Sequence, residues 1–364
     1  MIYADNAATT LISERAKAAM IDAMRFYNPS SPHAAGVEAR MKLERARADV
    51  AVCINARPDE IVFTSGATES NRIALSKGCG HNPATTTFEH SSVARYFRNR
   101  PLRYFLQIGE DGVVDVEKAR DYLDGRGWFD DSSVIFAHNI LGTIQPIKKL
   151  TKIIKSCGAS VHTDATQAVG QIPVDVKDLG VDILSASAHK FHGPRGVGFL
   201  YVKRGTYFPW KDGEGQEQGF RPGTENLPGI VGMAEALKER CENMERNMAI
   251  TRDRQRLLIE ELSKIPNSAL NGSLEHRLPG NVNFFFDGVN GEALMHYLNM
   301  RDIYVSTTSA CEKDADRVFR AIGHPERANS SIRITFDESM TVQNILTIAE
   351  AIKEGVNHLR GNNV

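Results

Sequence analysis

Two short segments of this 364-residue chain crowd reactive side chains together: Val161-His162-Thr163-Asp164-Ala165-Thr166-Gln167 and Ser185-Ala186-Ser187-Ala188-His189-Lys190-Phe191-His192-Gly193-Pro194. A lysine amine attacks carbonyls once its pKa is lowered, and the product is a Schiff base. A buried carboxylate can do the complementary task of keeping a proton on a ring nitrogen, so that the ring draws electrons. Lys190 and Asp164 are the candidates for these two tasks. Reading Lys190 as a surface lysine after a strand would leave Asp164 and Gln167 unexplained.

A third segment offers an anion site. Phe63-Thr64-Ser65-Gly66-Ala67-Thr68-Glu69-Ser70-Asn71 reads as strand, tight turn and helix start. Gly66 lets the backbone turn, and the amides that follow, with the Thr68 hydroxyl, are donors for a phosphate at a helix N-terminus. Ser187 and His189 are further candidate phosphate ligands. An amine for a carbonyl, an acid for a ring nitrogen and a turn for a phosphate together read as a seat for pyridoxal 5'-phosphate (PLP). Two other strand ends carry polar groups: His90 follows Thr85-Thr86-Thr87, and His138-Asn139 follows Ile135-Phe136-Ala137, where a substrate could meet them.

These residues need a scaffold. Short apolar runs at 60–63, 134–137, 160–162, 183–185 and 197–202 alternate with helix-like stretches at 36–53, 115–124 and 147–157. That alternation predicts an α/β lobe with a largely parallel sheet, and such sheets gather ligands at the carboxyl ends of their strands. A charged, helix-favouring stretch from Leu227 to about Ile265 leads into a smaller lobe. That lobe holds a strand at 281–286, a helix near 291–300 and a closing helix at 341–359. The charges from Lys238 to Arg256 read as a solvated helix face.

Composition narrows the class. A formal net charge of −1 gives no global attraction to nucleic acid or to an anionic membrane. No apolar run approaches the ~20 residues of a membrane span, and the start is neither a signal nor a transit peptide. The five cysteines (53, 79, 157, 241 and 311) stand singly, which argues against a disulfide framework or a zinc site and for a reducing, cytoplasmic setting.

The chain resembles the NifS/IscS-type cysteine desulfurases of the class V aminotransferase group, which are fold type I PLP enzymes. The likeness runs from about residue 3 to 355 and rests on Asp5-Asn6-Ala7-Ala8-Thr9-Thr10, the Thr64–Ser70 turn, Asp164-Ala165-Thr166-Gln167 and the His189-Lys190 segment. It extends to Gly215-Gln216-Glu217, Arg221-Pro222-Gly223-Thr224, Ser309-Ala310-Cys311 and Ser330-Ser331-Ile332-Arg333. It implies a large PLP-binding domain over 13–242 with a mostly parallel seven-stranded sheet. The smaller α+β domain is made of 1–12 and 243–364. By the same resemblance Lys190 carries the cofactor, Asp164 pairs with its ring nitrogen, His90 stacks on the ring, and Gln167 bonds the phenolic oxygen. Ala67, Thr68, Ser187 and His189 hold the phosphate, and Thr224 reaches the phosphate of a neighbouring subunit, so a homodimer with shared sites is implied. Arg333 clamps the substrate carboxylate beside Asn139, a task suited to a planar, permanently charged fork.

Cys311 is the implied nucleophile that takes sulfur from L-cysteine as a persulfide, leaving L-alanine. A sulfur-acceptor protein or a small thiol then receives the sulfur. The other cysteines read differently: Cys53, within Ala51-Val52-Cys53-Ile54, as a small buried hydrophobe, and Cys79 as an outside candidate for oxidation or sulfur relay. The chain departs from the family pattern at Ser306-Thr307-Thr308-Ser309-Ala310-Cys311, where Thr308 replaces a glycine, and its stretch from Cys311 to Arg333 is shorter. Glu312 and Asp314 should raise the thiol's pKa against Lys313, implying slow or short-range sulfur delivery. His138 stands for the first asparagine of a pair and Ile140 for an acidic residue. His138 reads either as a tuner of substrate choice or as a packed strand-end histidine. The short tail after the last helix puts docking to a standard iron–sulfur scaffold in doubt. Competing readings are a selenocysteine lyase, an ordinary aminotransferase and a non-catalytic PLP- or partner-binding relative.

Overall fold

The computed structural model describes residues 1–76, 83–98, 104–124, 131–209, 215–307 and 312–361. Its centre is a seven-stranded sheet in the order Ile61–Thr64, Gly198–Val202, Ile183–Ser187, Ser160–Asp164, Asp131–Ile135, Ala84–Thr86, Tyr104–Leu106. Gly198–Val202 runs antiparallel to both of its neighbours, and every other pairing is parallel. The expected mostly parallel seven-stranded sheet is thus present.

Helices cover this sheet on both faces. Ile61, Phe63, Leu184, Phe199 and Tyr201 point into a core shared with helices Glu14–Ala23, Ala34–Cys53, Ile147–Ser156 and Leu227–Glu242. Val62, Ile183, Leu200 and Val202 point the other way, toward Ile73 and Ala74 of helix Ala67–Leu75. Alternate residues of one strand serve opposite faces. Strands buried on both faces read as continuous apolar runs, which is why the sequence marked them.

A second sheet is antiparallel throughout, in the order Ser306–Thr307, Ser331–Thr335, Asn281–Phe286, Ser268–Leu270. Val282, Phe284, Phe286, Ile332 and Ile334 form its core with helices Met244–Ser263, Gly291–Asn299 and Val342–Gly361. The N-terminus belongs to this layer first. Ile2–Tyr3 pairs in parallel with Ile303–Tyr304, and Ala4 is buried in the same core. The chain then crosses over: the Ala7 N–H donates to Thr335 Oγ1 (2.9 Å), and the Thr10 N–H donates to the His189 carbonyl (2.9 Å).

Two sequence expectations need correction. The helical stretch from Leu227 is broken at Asn243 (φ −109°, ψ 8°), whose Nδ2 bonds the Glu239 carbonyl (2.9 Å) alongside its own backbone N–H. The run from Lys238 to Arg256 is not uniformly solvated either. Arg240 is buried, donating from Nε to the Gly170 carbonyl (2.9 Å) and from Nη1 to Glu338 (2.7 Å).

A buried bidentate pair joins Arg47 to Glu217, both bonds at 2.8 Å, with only 6% and 5% of the two residues exposed. Glu217 Oε2 also accepts the Phe63 N–H (2.7 Å), so the pair anchors the edge strand and the 216–219 turn. Breaking such a pair from one side leaves a buried charge uncompensated, at a cost of about 3–5 kcal/mol. Glu217→Ala should lower the unfolding free energy by that amount, read as a lower urea midpoint with an unchanged slope; an unaltered midpoint would mean that Glu44, which also accepts from Arg47 Nε (3.2 Å), or water compensates the charge.

Candidate active site

The carboxyl ends of the parallel strands are in register: Ile135 lies beside Asp164, and Asp164 beside Ser185. There they open into a cavity of about 510 Å³, within the usual range for small-molecule sites. Of the predicted residues, Ala67, Thr68, His90, Asn139, Asp164, Gln167, Ser187, His189 and Lys190 all line it.

Lys190 ends a short 3-10 turn that follows strand Ile183–Ser187, and its Nζ points at the N-terminal crossing segment. It donates to the carbonyls of Ala7 (2.6 Å) and Ala8 (2.7 Å), and among the described residues no carboxylate lies within ion-pair distance of it. Burial, reinforced by the charge of Arg333, lowers its pKa to about 8. This is the condition a nucleophilic amine needs.

Asp164 ends its strand, buried. Asn71 Nδ2 donates to Oδ2 (2.8 Å), while the Thr166 N–H (3.0 Å) and hydroxyl (2.5 Å) donate to Oδ1. A carboxylate has about four acceptor positions, so capacity remains for a ring N–H. Two residues upstream, His162 spans three strands, with Nδ1 on Ser133 Oγ (2.8 Å) and Nε2 on Ser185 Oγ (2.9 Å). Burial lowers its pKa to about 4, so the sheet beneath Asp164 carries no added charge at neutral pH.

The anion end forms where the first strand turns. Gly66 caps helix Ala67–Leu75 at φ +148°, a conformation that side chains avoid, and no side chain caps the first turn. Gly198 must also be a glycine, because a Cβ there would lie 2.7 Å from Gly66 Cα and 2.5 Å from the Ala186 carbonyl oxygen. This close approach sets the turn against Ser187. Arg195 adds a cation to the same wall. The His189 imidazole, lowered to about 4 by burial and then by Lys190 and Arg195, is a neutral partner of Thr9 Oγ1 (3.2 Å). Uncapped amides with an arginine suit a phosphate. A phosphate end, a buried acid and an unpaired amine lining one cavity therefore fit PLP.

The remaining candidates are placed as follows. His90 is exposed, its Nδ1 accepting from the Ser92 N–H (3.3 Å) at the start of helix Ser91–Arg98. Gln167 donates to the Ala7 carbonyl (3.0 Å). Arg333 lies on the second sheet, 6% exposed and outside the cavity lining. Its Nη2 donates to Asp5 Oδ1 (2.7 Å) and its Nη1 to the Asn139 carbonyl (3.1 Å). Thr224 is exposed and does not reach the cavity of its own chain. Cys311, Thr308 and Cys79 lie outside the described residues.

His138 is a packed residue. Its Nδ1 accepts the N–H groups of Ile140 (3.2 Å) and Leu141 (3.1 Å), its Nε2 meets the Phe88 carbonyl (2.9 Å), and its ring stacks on Phe88. Burial holds it neutral, near 3. Cys53, expected as a buried hydrophobe, is partly exposed.

Sequence reading missed Asn71, Arg195 and Glu89. Asn71 sits one turn after Thr68 on the same helix face, a spacing that could have found it. Glu89 is buried, accepting from Thr86 Oγ1 (2.6 Å) and the Ile135 N–H (3.0 Å), and desolvation raises its pKa to about 8. Nothing in its local sequence announces that environment.

Known proteins resemble the whole chain. The cysteine desulfurase IscS of Neisseria meningitidis is 38% identical over 99% of this chain and 93% of the relative. The protein of that name from Dictyoglomus turgidum is also 38% identical, over 99% and 95%. A solved NifS-like protein superposes with a TM-score of 0.90 at 32% identity, covering 98% of this chain and 99% of the other. A NifS-like protein from Rickettsia africae gives a TM-score of 0.89 at 30% identity, with the same coverage. The aminotransferase class-V family model matches residues 2–348, and the chain belongs to that family.

Proposed function

We propose that the protein is a PLP-dependent cysteine desulfurase, converting L-cysteine to L-alanine and leaving sulfur as a persulfide on Cys311. The observation that carries the reading is the Lys190 amine, held by carbonyls alone in the cavity that Asp164 also lines. The relatives named as cysteine desulfurases supply the substrate class.

When bound, PLP supplies an aldehyde carbon that primary amines can join and a ring that draws electrons from the substrate. Asp164 would hold a proton at the ring nitrogen, with Asn71 and Thr166 fixing the carboxylate. Thr68, Ser187, Arg195 and the amides after Gly66 would hold the phosphate, and His90 and Gln167 would orient the ring. Lys190 Nζ, free of a carboxylate partner, would take and return protons at the substrate carbon. Arg333 and Asn139 would orient the substrate carboxylate. The carbon–sulfur bond breaks as the Cys311 thiolate bonds the sulfur, and the carbon takes a proton in its place.

Thr224, exposed in its own chain, would serve the site of a second copy, and a homodimer would share its sites in this way. The chain would work as two lobes, 13–242 built around the seven-stranded sheet and 1–12 with 243–364 around the antiparallel one. Among the described residues no helix is long and apolar enough to cross a membrane, and a cytoplasmic setting suits a free thiol nucleophile. A protein or small thiol would accept the sulfur.

Alanine and sulfide should form from L-cysteine with a thiol reductant, and Cys311→Ala should lose both products while keeping the cofactor's colour. Selenide release that survives in Cys311→Ala would move the protein to the selenocysteine lyases. Lys190→Ala should lose the yellow colour. Capture of added PLP by the apoprotein, followed by absorbance, should rise with pH through about 8 as Lys190 loses its proton. A rise centred near a free lysine's ~10.4 would contradict the buried amine. Arg333→Lys should raise KM for cysteine roughly 10- to 100-fold, the loss of one to two charge-assisted bonds, with a smaller effect on kcat.

A further inference from the structure

Cys53 is the last residue of helix Ala34–Cys53, and Cys241 lies in the last turn of helix Leu227–Glu242, a helix packed along it. The Cys241 thiol donates to the Cys53 carbonyl oxygen (3.9 Å), so the two cysteines meet at one helix–helix contact. Both are partly exposed, so a small oxidant can reach them. We infer that Cys53 and Cys241 form a dithiol site, separate from the catalytic cavity, that closes to an intramolecular disulfide when it meets a peroxide.

Chemistry assigns an order to the two sulfurs. The neighbouring Cys53 thiol lowers the Cys241 pKa, and the adjacent Arg240 lowers it further. The Cys53 thiol is pushed up by its neighbour Cys241, by burial, and by Asp49 and Glu242. Cys241 is therefore the attacking thiolate. It takes one peroxide oxygen to become a sulfenic acid, and the other oxygen leaves as water with a proton. Cys53 then attacks the sulfenic sulfur, the S–S bond forms, and a second water leaves. Two thiols lose two electrons, and one peroxide is reduced to two waters. Closing the bond requires the sulfurs to come to about 2.05 Å. The product would join residues 188 positions apart.

The test is peptide mapping of the full-length holoprotein after hydrogen peroxide treatment, with free thiols alkylated and no reductant added. The Cys53 and Cys241 peptides should appear as one linked species that reductant separates, while Cys157, also partly exposed, is recovered alkylated as an internal control. Cys53→Ser should leave Cys241 as a sulfenic acid that dimedone traps, and Cys241→Ser should lose both the link and the trap at residue 53. Independent alkylation of both cysteines in the oxidised wild type would overturn the proposal, as would linkage of either one to a different cysteine.

Discussion

The site depends on a single constraint: a lysine amine must sit at the carboxyl edge of the sheet without a carboxylate of its own. A direct ion pair would hold the amine protonated and unreactive. Complete isolation would leave three N–H donors unsatisfied in a desolvated place. The fold's solution is the N-terminal crossing segment, whose Ala7 and Ala8 carbonyls accept from Nζ without neutralising it. Those carbonyls are available because the segment is fixed at both ends. Ala4 is buried in the second core, and the Thr10 N–H is bonded to the carbonyl of His189, the residue before the lysine.

Around that amine the sheet is kept electrically quiet. His162, His138 and His189 are buried to differing degrees and held as neutral imidazoles, each by desolvation first. The ordered polar contacts are instead short hydrogen bonds from neutral groups: Ser133–His162–Ser185 across three strands, and Asn71 and Thr166 on Asp164. In a low-dielectric setting each added charge would move the lysine's pKa substantially. Neutral hydrogen bonds position Asp164 without that side effect.

How far the sequence exposed this design depends on the range of each interaction. The buried strands announced themselves because both faces are covered, and the Gly66 turn because one glycine does a job few other residues can do. Lys190, Asp164 and Gln167 were legible for their types and their positions after strands. The contacts that tune them were not. Asn71 reaches Asp164 across 93 positions, and Arg333 reaches Asp5 across 328. Arg240 looked like one more charge on a solvated helix until Glu338 and the Gly170 carbonyl were seen to enclose it. Side-chain type is local information, but burial is a property of the whole fold, and burial is what shifts Lys190 and His189 first.

The same reasoning gives Asp5 a particular place. Arg333 and Lys190 are two cations at the junction of the two sheets, and the charge of Arg333 depresses the lysine while Asp5 and Asp164 oppose that effect. Asp5 bonds directly to Arg333, not to Lys190, so it offsets the arginine's field at the amine without capturing the amine itself. A guanidinium has five N–H donors. One is engaged by Asp5 and one by the Asn139 carbonyl, so the pairing does not exhaust its donors. Asp5 thereby makes a permanently charged residue tolerable beside a lysine that must lose its proton, and the N-terminal segment that supplies the carbonyls also supplies this counter-ion.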